Sequence, residues 1–255
     1  MNNVDYDHSL KLNWGGPEDT LFQEWVSRWR FPKGDFSDDG IVDSEKFDSF
    51  WSPRIVIVLK EVNSGNGFSL RSFLKAGACN GDGFKDGRAT WAPVQRWLLA
   101  LSDRLGKGLK PGQSNRKDAL QTIAAVNVKK FHGKARANPK DVSKHVEDDS
   151  EFLAEQLKLY FNKPTVFACG GHLVYNKVKR TLEESIGKFS VVRLPGCDVD
   201  FLAVAKDVYA FDIGHHPCMS SRRVYDRRFV DAVMAIHAKL NLEHSREECQ
   251  PPLVT

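Results

Sequence analysis

Six consecutive residues at positions 54–59, Arg-Ile-Val-Ile-Val-Leu, constrain the fold of this chain more than any other segment. A continuous run of mostly β-branched side chains is typical of a strand that is buried on both faces of a parallel sheet. Apolar runs at residues 122–128, 165–169 and 208–213 predict further strands of this kind, and residues 190–193 predict another strand or an edge. The chain therefore carries the strands of an extended sheet.

Amphipathic helical patterns fill the segments between these strands. They lie at residues 18–30, around Phe47, and at residues 70–75, 91–105, 141–160, 172–186 and 226–240. Strands that alternate with helices favour a parallel sheet with helices on both faces. We therefore predict an α/β fold class, a three-layer α/β/α sandwich with a central, mainly parallel sheet.

Composition sets broad limits on the function. The chain has 255 residues, of which 41% are hydrophobic, and it carries a net charge of +4. No stretch approaches the roughly 20 apolar residues that span a bilayer, and the N-terminus lacks a secretory signal pattern, so we expect a cytoplasmic protein. The five cysteines are scattered and form no C-x-x-C pair, which argues against a zinc ribbon or a disulfide framework.

Basic residues cluster in two loops that follow predicted strands. The first cluster consists of Lys129, Lys130, Lys134 and Arg136, and the second of Arg222, Arg223, Arg227 and Arg228. Such clusters are compatible with a polyanionic partner, although two solvated loops would have the same composition.

Polar side chains follow several of the predicted strands directly. Glu61 and Asn63 come after the first strand, Asn127 lies near the end of the second, and His215 and His216 follow the last. Chemistry in parallel α/β folds gathers beyond the carboxyl ends of the strands. We therefore expect these side chains to line one crevice.

The chain lacks the motifs of several enzyme classes. It has no G-x-x-x-x-G-K-[S/T] phosphate loop, no G-x-S-x-G nucleophile elbow and no H-E-x-x-H zinc motif. A hydrolysis that needs neither a metal nor a covalent nucleophile remains. In such a reaction a carboxylate or an amide positions water, and an imidazole stabilises the departing anion.

Six short segments of the chain occur in the order of a known set of motifs. They are residues 60–63 (Lys-Glu-Val-Asn), 87–90 (Gly-Arg-Ala-Thr), 127–130 (Asn-Val-Lys-Lys), 152–157 (Phe-Leu-Ala-Glu-Gln-Leu), 168–171 (Ala-Cys-Gly-Gly) and 216–221 (His-Pro-Cys-Met-Ser-Ser). In these motifs the chain resembles the uracil-DNA glycosylase superfamily, and it comes closest to the bacterial and archaeal branch that carries an iron–sulfur cluster. The resemblance implies a catalytic domain over residues 54–242. Residues 1–53 have no counterpart in these motifs, and we predict that they form an N-terminal helical extension packed on the core and that residues 243–255 form a flexible tail.

The resemblance implies a monofunctional DNA glycosylase, which flips a base out of DNA and hydrolyses its N-glycosidic bond to leave an abasic site. His216 would stabilise the leaving base as an anion, and Asn127 would pair with the Watson–Crick edge of the base. Either Glu61 or Asn63 would position the water. The structural alternatives are a core or capping histidine, a turn asparagine and a solvated loop carboxylate.

The DNA partner would be bound mainly through two loops. The residues expected at this contact are Lys129, Lys130, Arg136, His215, Ser220, Ser221, Arg222 and Arg223. Phe68 or Phe84 would stack on the flipped base, although a place in the core fits either residue equally well. The protein is expected to act as a monomer.

The chain departs from this branch at two places. The cysteines that hold the iron–sulfur cluster are missing, since Lys130 or a neighbour stands where the second-strand motif has one, and we expect neither a cofactor nor a metal. Lys60 replaces the leading glycine of the first motif. A lysine reshapes the floor of the pocket unless its side chain points away.

The glycine-rich loop at residues 64–67 carries no bulky aromatic side chain to block the C5 edge of a pyrimidine. We therefore expect a roomy pocket for a C5-enlarged cytosine, either hydroxymethylated or glycosylated, and a function in antiviral defence against phage DNA with such bases. The alternatives are an ordinary repair glycosylase for uracil or another deaminated base, a catalytically inactive nucleic-acid-binding module, and a hydrolase of free nucleosides or nucleotides.

Overall fold

The structure of the protein is a computed structural model, which describes residues 17–28, 36–61, 68–76, 88–109, 118–131, 138–217 and 223–248. Its strands are β1 (Gly40–Ile41), β2 (Arg54–Leu59), β3 (Ala124–Asn127), β4 (Thr165–Cys169), β5 (Ser190–Arg193), β6 (Asp200–Ala205) and β7 (Val208–Asp212). Its helices are α1 (Pro17–Arg28), α2 (Ser44–Ser49), α3 (Leu70–Lys75), α4 (Arg88–Arg104), α5 (Pro139–Asp148), α6 (Ser150–Lys158), α7 (His172–Ile186) and α8 (Arg223–Glu248). In these ranges no helix combines the length and the apolar composition that crossing a membrane requires.

The strands in the described ranges form one mixed sheet in the order β1–β3–β2–β4–β7–β6–β5. The four central strands β3, β2, β4 and β7 are parallel. At one edge β1 is antiparallel to β3, and on the other side β6 and β5 continue the sheet as antiparallel strands. The predicted α/β class with a mainly parallel central sheet is therefore confirmed.

The sequence predicts neither β1 nor β6. Strand β1 has only two residues, and β6 mixes buried with exposed positions instead of forming a continuous buried run. Residues Lys206 and Asp207 connect β6 to β7, and Asp207 has a φ of +60°. A two-residue turn with positive φ joins antiparallel strands directly, so no helix marks this pair in the sequence.

Neighbouring residues of β2 belong to two different hydrophobic clusters. Ile55, Ile57 and Leu59 pack with residues of α3, α4 and α8. Val56 and Val58 pack with residues of α1, α5, α6 and α7. Because successive side chains of a strand point to opposite faces, β2 is buried on both, which explains its uninterrupted apolar sequence.

Two predicted helix boundaries differ from the structure. The single helix expected over residues 141–160 is divided into α5 and α6, because Asp149 between them leaves the helical region, with φ −116° and ψ 14°. Val146 of α5 and Leu153 of α6 lie in the same hydrophobic cluster, so both helices contribute an apolar face to it. Helix α8 continues to Glu248 and includes the beginning of the predicted flexible tail.

Residues 17–53 share the core through a set of buried charged side chains, which we call the inner charge cluster. It consists of Glu18, Asp19, Asp38, Asp39, Arg71 and Lys130, each of which is at most 4% exposed.

The Nζ of Lys130 lies 2.6 and 2.7 Å from the two carboxylate oxygens of Asp39. Arg71 donates to Asp38 at 2.9 Å and to Asp19 at 2.7 Å. Glu18 accepts a hydrogen bond from the backbone N–H of Ile41 in β1. Charge pairing therefore joins this N-terminal segment to α3 and to the residues after β3.

Candidate active site

The strand order places a topological switch point at the carboxyl edge of the parallel strands. The chain passes from β2 to β3 on one side and then returns to β4 on the other side of β2. Ligands of open α/β sheets bind at such a switch point, outside the carboxyl ends of the strands. We call the site at this edge the strand-end crevice; its members are Lys60, Glu61, Asn127, Gly170, Gly171 and His216.

Gly170 allows three chain segments to meet at the end of β4. A Cβ atom at this position would lie 2.9 Å from the Cδ2 of Leu59 and 3.4 Å from the Cδ of Pro217. It would also lie 3.2 Å from the carbonyl oxygen of Val58. Only glycine avoids these contacts without displacing its neighbours, so Pro217 can approach the end of β2 closely.

Gly171 packs against the backbone of His215 and His216. It has a φ of +102°, and its Cβ position would lie 3.6 Å from the Cα of His215 and from the backbone nitrogen of His216. The positive φ strains any other residue at this position. The glycine pair therefore carries the segment that follows β7 across the end of β4 towards β2.

The turn before His216 is held by hydrogen bonds to the ends of two strands. The Oδ1 of Asp212 accepts from the N–H of Gly214 at 2.7 Å, and Gly214 has a φ of +102°. The N–H of Ile213 donates to the carbonyl of Cys169 at 3.0 Å. An aspartate that accepts from the residue two positions on forms a compact local turn. The backbone that leads to His216 is therefore well defined.

His216 is half-buried in the crevice. Burial lowers the pKa of its imidazole, and the positive charge of Lys60 lowers it further, to about 4. The imidazole is therefore neutral at pH 7, with one N–H that donates and one ring nitrogen that accepts. Lys60 and His216 follow different strands, β2 and β7, which run parallel and end at the same edge of the sheet.

Lys60 directly follows the last residue of β2 at the carboxyl edge of the sheet. Its carbonyl accepts a hydrogen bond from the N–H of Lys129 at 2.9 Å, which continues the pairing of β2 with β3. The residue is half-buried, and none of the described carboxylates forms a salt bridge with its ammonium group. Lys60 belongs to the crevice by its position after β2, and its charge is one cause of the lowered pKa of His216.

Asn127 is the last residue of β3 and is only 1% exposed. Its backbone N–H donates to Asp39 at 2.7 Å, and its register partner in β2 is Leu59. Among the described residues, nothing accepts a hydrogen bond from its side-chain Nδ2. A buried donor without a partner costs about 1–3 kcal/mol. The side chain of Asn127 therefore has the unmet hydrogen-bonding capacity expected of a ligand-binding group.

Glu61 and Lys129 form a buried ion pair beside the crevice. The Nζ of Lys129 lies 2.8 Å from Glu61 and 2.6 Å from Asp141, and the side chains of Glu61 and Lys129 are each 5% exposed. We correct the prediction that Lys129 contacts DNA, because its ammonium group is already held by two carboxylates. Glu61 is a buried carboxylate with a cationic partner, not a solvated loop residue.

Lys130 is also excluded from the predicted DNA interface. Its side chain has no exposed surface, and both oxygens of Asp39 bind its ammonium group. The two lysines resemble a solvated basic loop in the sequence, but their acidic partners are distant in sequence and only the fold brings them together. A phosphate cannot reach either ammonium group while these pairs are intact.

The structure describes some of the other predicted site residues. Phe68 is half-buried and packs against Phe73, with ring centroids 5.3 Å apart, at the margin of a hydrophobic cluster. His215 is exposed beside His216, and Arg223 is the first residue of α8. The predicted site residues that lie outside the described ranges are Asn63, Phe84, Arg136, Ser220, Ser221 and Arg222.

Comparison with known proteins finds no protein-family model and no curated protein that matches this chain. Over the described ranges, no group of three or more His, Cys, Asp and Glu side chains is arranged to hold a metal ion. The residues of the strand-end crevice are therefore the guide to a function.

Two residues that build the crevice are absent from the predicted site. Asp212 holds the turn before His216, and its spacing to Gly214 at the end of a predicted strand is a local signal that could have identified it. Lys60 is recognisable in the sequence only as a substitution for glycine. Its interaction with His216 has no local signal, because the strand order alone brings the two together.

Proposed function

We propose that this protein is a monofunctional DNA glycosylase built on the three-layer α/β/α plan of the uracil-DNA glycosylase superfamily. It binds DNA, takes a flipped-out base into the strand-end crevice and hydrolyses the bond between the base and C1′ of its sugar. The products are the free base and an abasic site.

The neutral imidazole of His216 carries this proposal. When the bond between C1′ and the base nitrogen breaks, its electron pair stays with the base, and negative charge develops on the neighbouring carbonyl oxygen. A preorganised N–H in a partly dry site stabilises such charge without any change in its own protonation. The pKa of about 4 keeps His216 in this neutral form at physiological pH.

Asn127 is the candidate for recognition of the base. A carboxamide presents a donor and an acceptor side by side, and so it can pair with the hydrogen-bonding edge of a nucleobase. A carbonyl group of the base would satisfy the buried Nδ2, which has no acceptor among the described residues. Base binding would then recover the desolvation cost that this amide imposes on the free protein.

Glu61 is the described candidate for positioning the attacking water. Its buried carboxylate accepts from Lys129 at 2.8 Å, so it can orient a water molecule through its remaining acceptor capacity. Asn63 is the second candidate, because an amide oxygen can hold water in the same way.

The phosphates of DNA would approach the same edge of the sheet. Helix α7 begins directly after Gly171, and its first turn contains no acidic residue and no side-chain cap. The partial positive charge of such a helix end favours a phosphate. Arg223, the first residue of α8, and the preceding Arg222 in the sequence would add cationic contacts, and His215 is exposed next to His216.

The preferred base is a C5-enlarged cytosine, which assigns the protein to defence against phage that carry such DNA. The support is the composition of residues 64–67, which has no aromatic side chain to exclude a substituent at C5. Uracil is the competing base.

The experiment is mass spectrometry of the bases that the full-length protein releases from duplexes with uracil, 5-hydroxymethylcytosine or glucosylated 5-hydroxymethylcytosine. We expect release of an enlarged cytosine together with alkali-sensitive abasic sites. His216→Ala should slow this release by about 100- to 1,000-fold, as when a single oxyanion donor is removed.

His237→Ala is the matched control for that variant. The ring of His237 contacts the carbonyl of Ser52, before the beginning of β2 and at the opposite end of the strand from the crevice. Base release should therefore stay unchanged. Release of uracil alone would refute the enlarged pocket, and DNA binding without release of any base would refute the glycosylase.

A further inference from the structure

The ammonium group of Lys60 differs from those of the two lysines that follow β3. Lys129 is held by Glu61 and Asp141, and Lys130 by both oxygens of Asp39. Lys60 is half-buried as well, yet no carboxylate in the described part of the chain forms an ion pair with it. A cation without a counter-ion favours the binding of an anion.

The backbone holds Lys60 between β3 and the end of β4. Its carbonyl is bound to the N–H of Lys129 on the β3 side, and the preceding Leu59 contacts the position of Gly170 on the β4 side. Pro217 contacts Gly170 from above. Lys60 therefore lies at the carboxyl edge of the sheet, next to the segments that carry Lys129, Gly170 and Pro217.

We propose that the ammonium group of Lys60 stabilises the negative charge of the departing base, together with the N–H of His216. This inference rests on the proposed glycosylase function and adds a second group to its chemistry. The neutral state of His216 is consistent with it, because the charge of Lys60 is one of the causes of the lowered imidazole pKa. A cation next to a neutral donor stabilises an anion more strongly than either group alone.

The reaction balances without a further reactant. The bond between C1′ and the base nitrogen breaks, and its electron pair leaves with the base. The oxygen of one water molecule bonds to C1′ and loses a proton, and the released base takes up a proton. Lys60 keeps its own proton throughout, so it acts by charge and not as an acid.

An anionic group of the substrate could come from two sources, the departing base or a phosphate beside the flipped nucleotide. The two sources differ in kinetics. Charge on the base exists only as the bond breaks, so loss of Lys60 would lower kcat and leave KM nearly unchanged. A phosphate is charged in the bound substrate as well, so loss of that contact would raise KM.

The test compares Lys60→Met and Lys60→Arg on whichever duplex the wild-type protein cleaves. For Lys60→Met we expect kcat to fall about 100-fold with KM within about twofold of the wild type. Lys60→Arg should recover most of the rate because it restores the charge. Lys188→Met is the control for net charge, since Lys188 is exposed in the connection between α7 and β5, at the other end of the sheet.

A second measurement does not depend on turnover. An NMR titration of the His216 imidazole in the free protein should give a pKa of about 4 for the wild type and a higher value for Lys60→Met. A loss of rate that comes only from misfolding would not produce a well-folded spectrum with this specific shift.

The outcomes separate the two proposals. If the wild type releases a base and Lys60→Met releases it at the same rate, the role of Lys60 is refuted and the glycosylase stands. A raised KM at unchanged kcat would also refute it, in favour of a phosphate contact. If the wild type releases no base, both proposals fail. A shifted His216 pKa in Lys60→Met would in that case show only that the charge of Lys60 acts on the imidazole of His216.

Discussion

The inner charge cluster and the strand-end crevice contain the same kinds of side chain but differ in how completely these are paired. In the inner charge cluster, Lys130 lies within 2.7 Å of both oxygens of Asp39. In the crevice, Lys60 has no carboxylate partner among the described residues, and the amide of Asn127 has an unmatched donor. Both cations of the inner charge cluster have carboxylate partners, although the Oδ1 of Asp38 has no hydrogen-bond partner among the described residues. We assign function to the crevice because its cation, Lys60, has no counter-ion there.

The difference has an energetic consequence. Removal of one member of a buried ion pair leaves an uncompensated charge inside the protein, which is strongly destabilising. Removal of a group that has no partner in the free protein loses little stability, because no contact is broken. Stability and activity measurements on equivalent substitutions therefore distinguish the two regions.

The largest expected effect is the loss of stability when Lys130 is replaced by methionine, compared with the same substitution of Lys60. Lys130→Met should lower the free energy of unfolding by about 3–5 kcal/mol, because Asp39 would remain buried without its cation. Lys60→Met should change the free energy of unfolding by no more than about 0.5 kcal/mol. Urea denaturation followed by circular dichroism measures both. Equal losses would show that Lys60 is also a structural residue.

A smaller effect is expected for two buried amides. Gln156→Leu should destabilise the protein by about 1.5–3 kcal/mol, since its Nε2 donates to the carboxylate of Asp39 at 2.9 Å. Asn127→Leu removes a donor without an acceptor, so we expect a change within about 1 kcal/mol together with loss of base release. If Asn127→Leu were the less stable variant and kept its activity, Asn127 would belong with the structural residues.

The effect that is smallest within any one pH unit is the pH dependence of stability that His216 contributes. Its folded-state pKa of about 4 lies below the ordinary value of 6.5. Between these values the unfolded chain binds a proton that the folded protein does not, so stability falls as the pH decreases from about 6.5 to about 4, by at most about 1.4 kcal/mol per pH unit. In the inner charge cluster burial raises the pKa of Glu18, so its contribution has the opposite sign and is lost as the pH rises through that raised value.

Unfolding free energies of the wild type and His216→Gln between pH 4 and pH 7 would isolate this contribution. The wild-type curve should fall more steeply with decreasing pH than that of the variant, and the two slopes should agree above about pH 7. Parallel curves over the whole interval would mean that His216 keeps its ordinary pKa in the folded protein.

Local patterns were sufficient for the elements that are buried on both faces or have one strong apolar face. The predicted limits of β2, β4 and α7 agree with the structure, because their burial is encoded in consecutive or regularly spaced apolar residues. The patterns failed for β1 and β6, which are short or partly exposed. In these strands pairing with a neighbour, rather than composition, determines the structure.

Some properties of the strand-end crevice were likewise predictable from local patterns, and others were not. The position of Asn127 and His216 after predicted strands was enough to place them at one edge of the sheet, because parallel strands end together. The burial of the Lys129 and Lys130 side chains was not predictable, because a lysine side chain is ordinarily solvated. Both are buried here by ion pairs, Lys129 with Glu61 and Lys130 with Asp39.

The amino-acid sequence alone determined which segments form the central parallel strands and which polar residues follow them, because hydrophobic burial and backbone periodicity are local properties. Only the tertiary structure decided which of these polar residues are paired. Ion pairing and desolvation depend on distance in space, and the partners of Lys130 and the charge that acts on His216 come from distant parts of the chain.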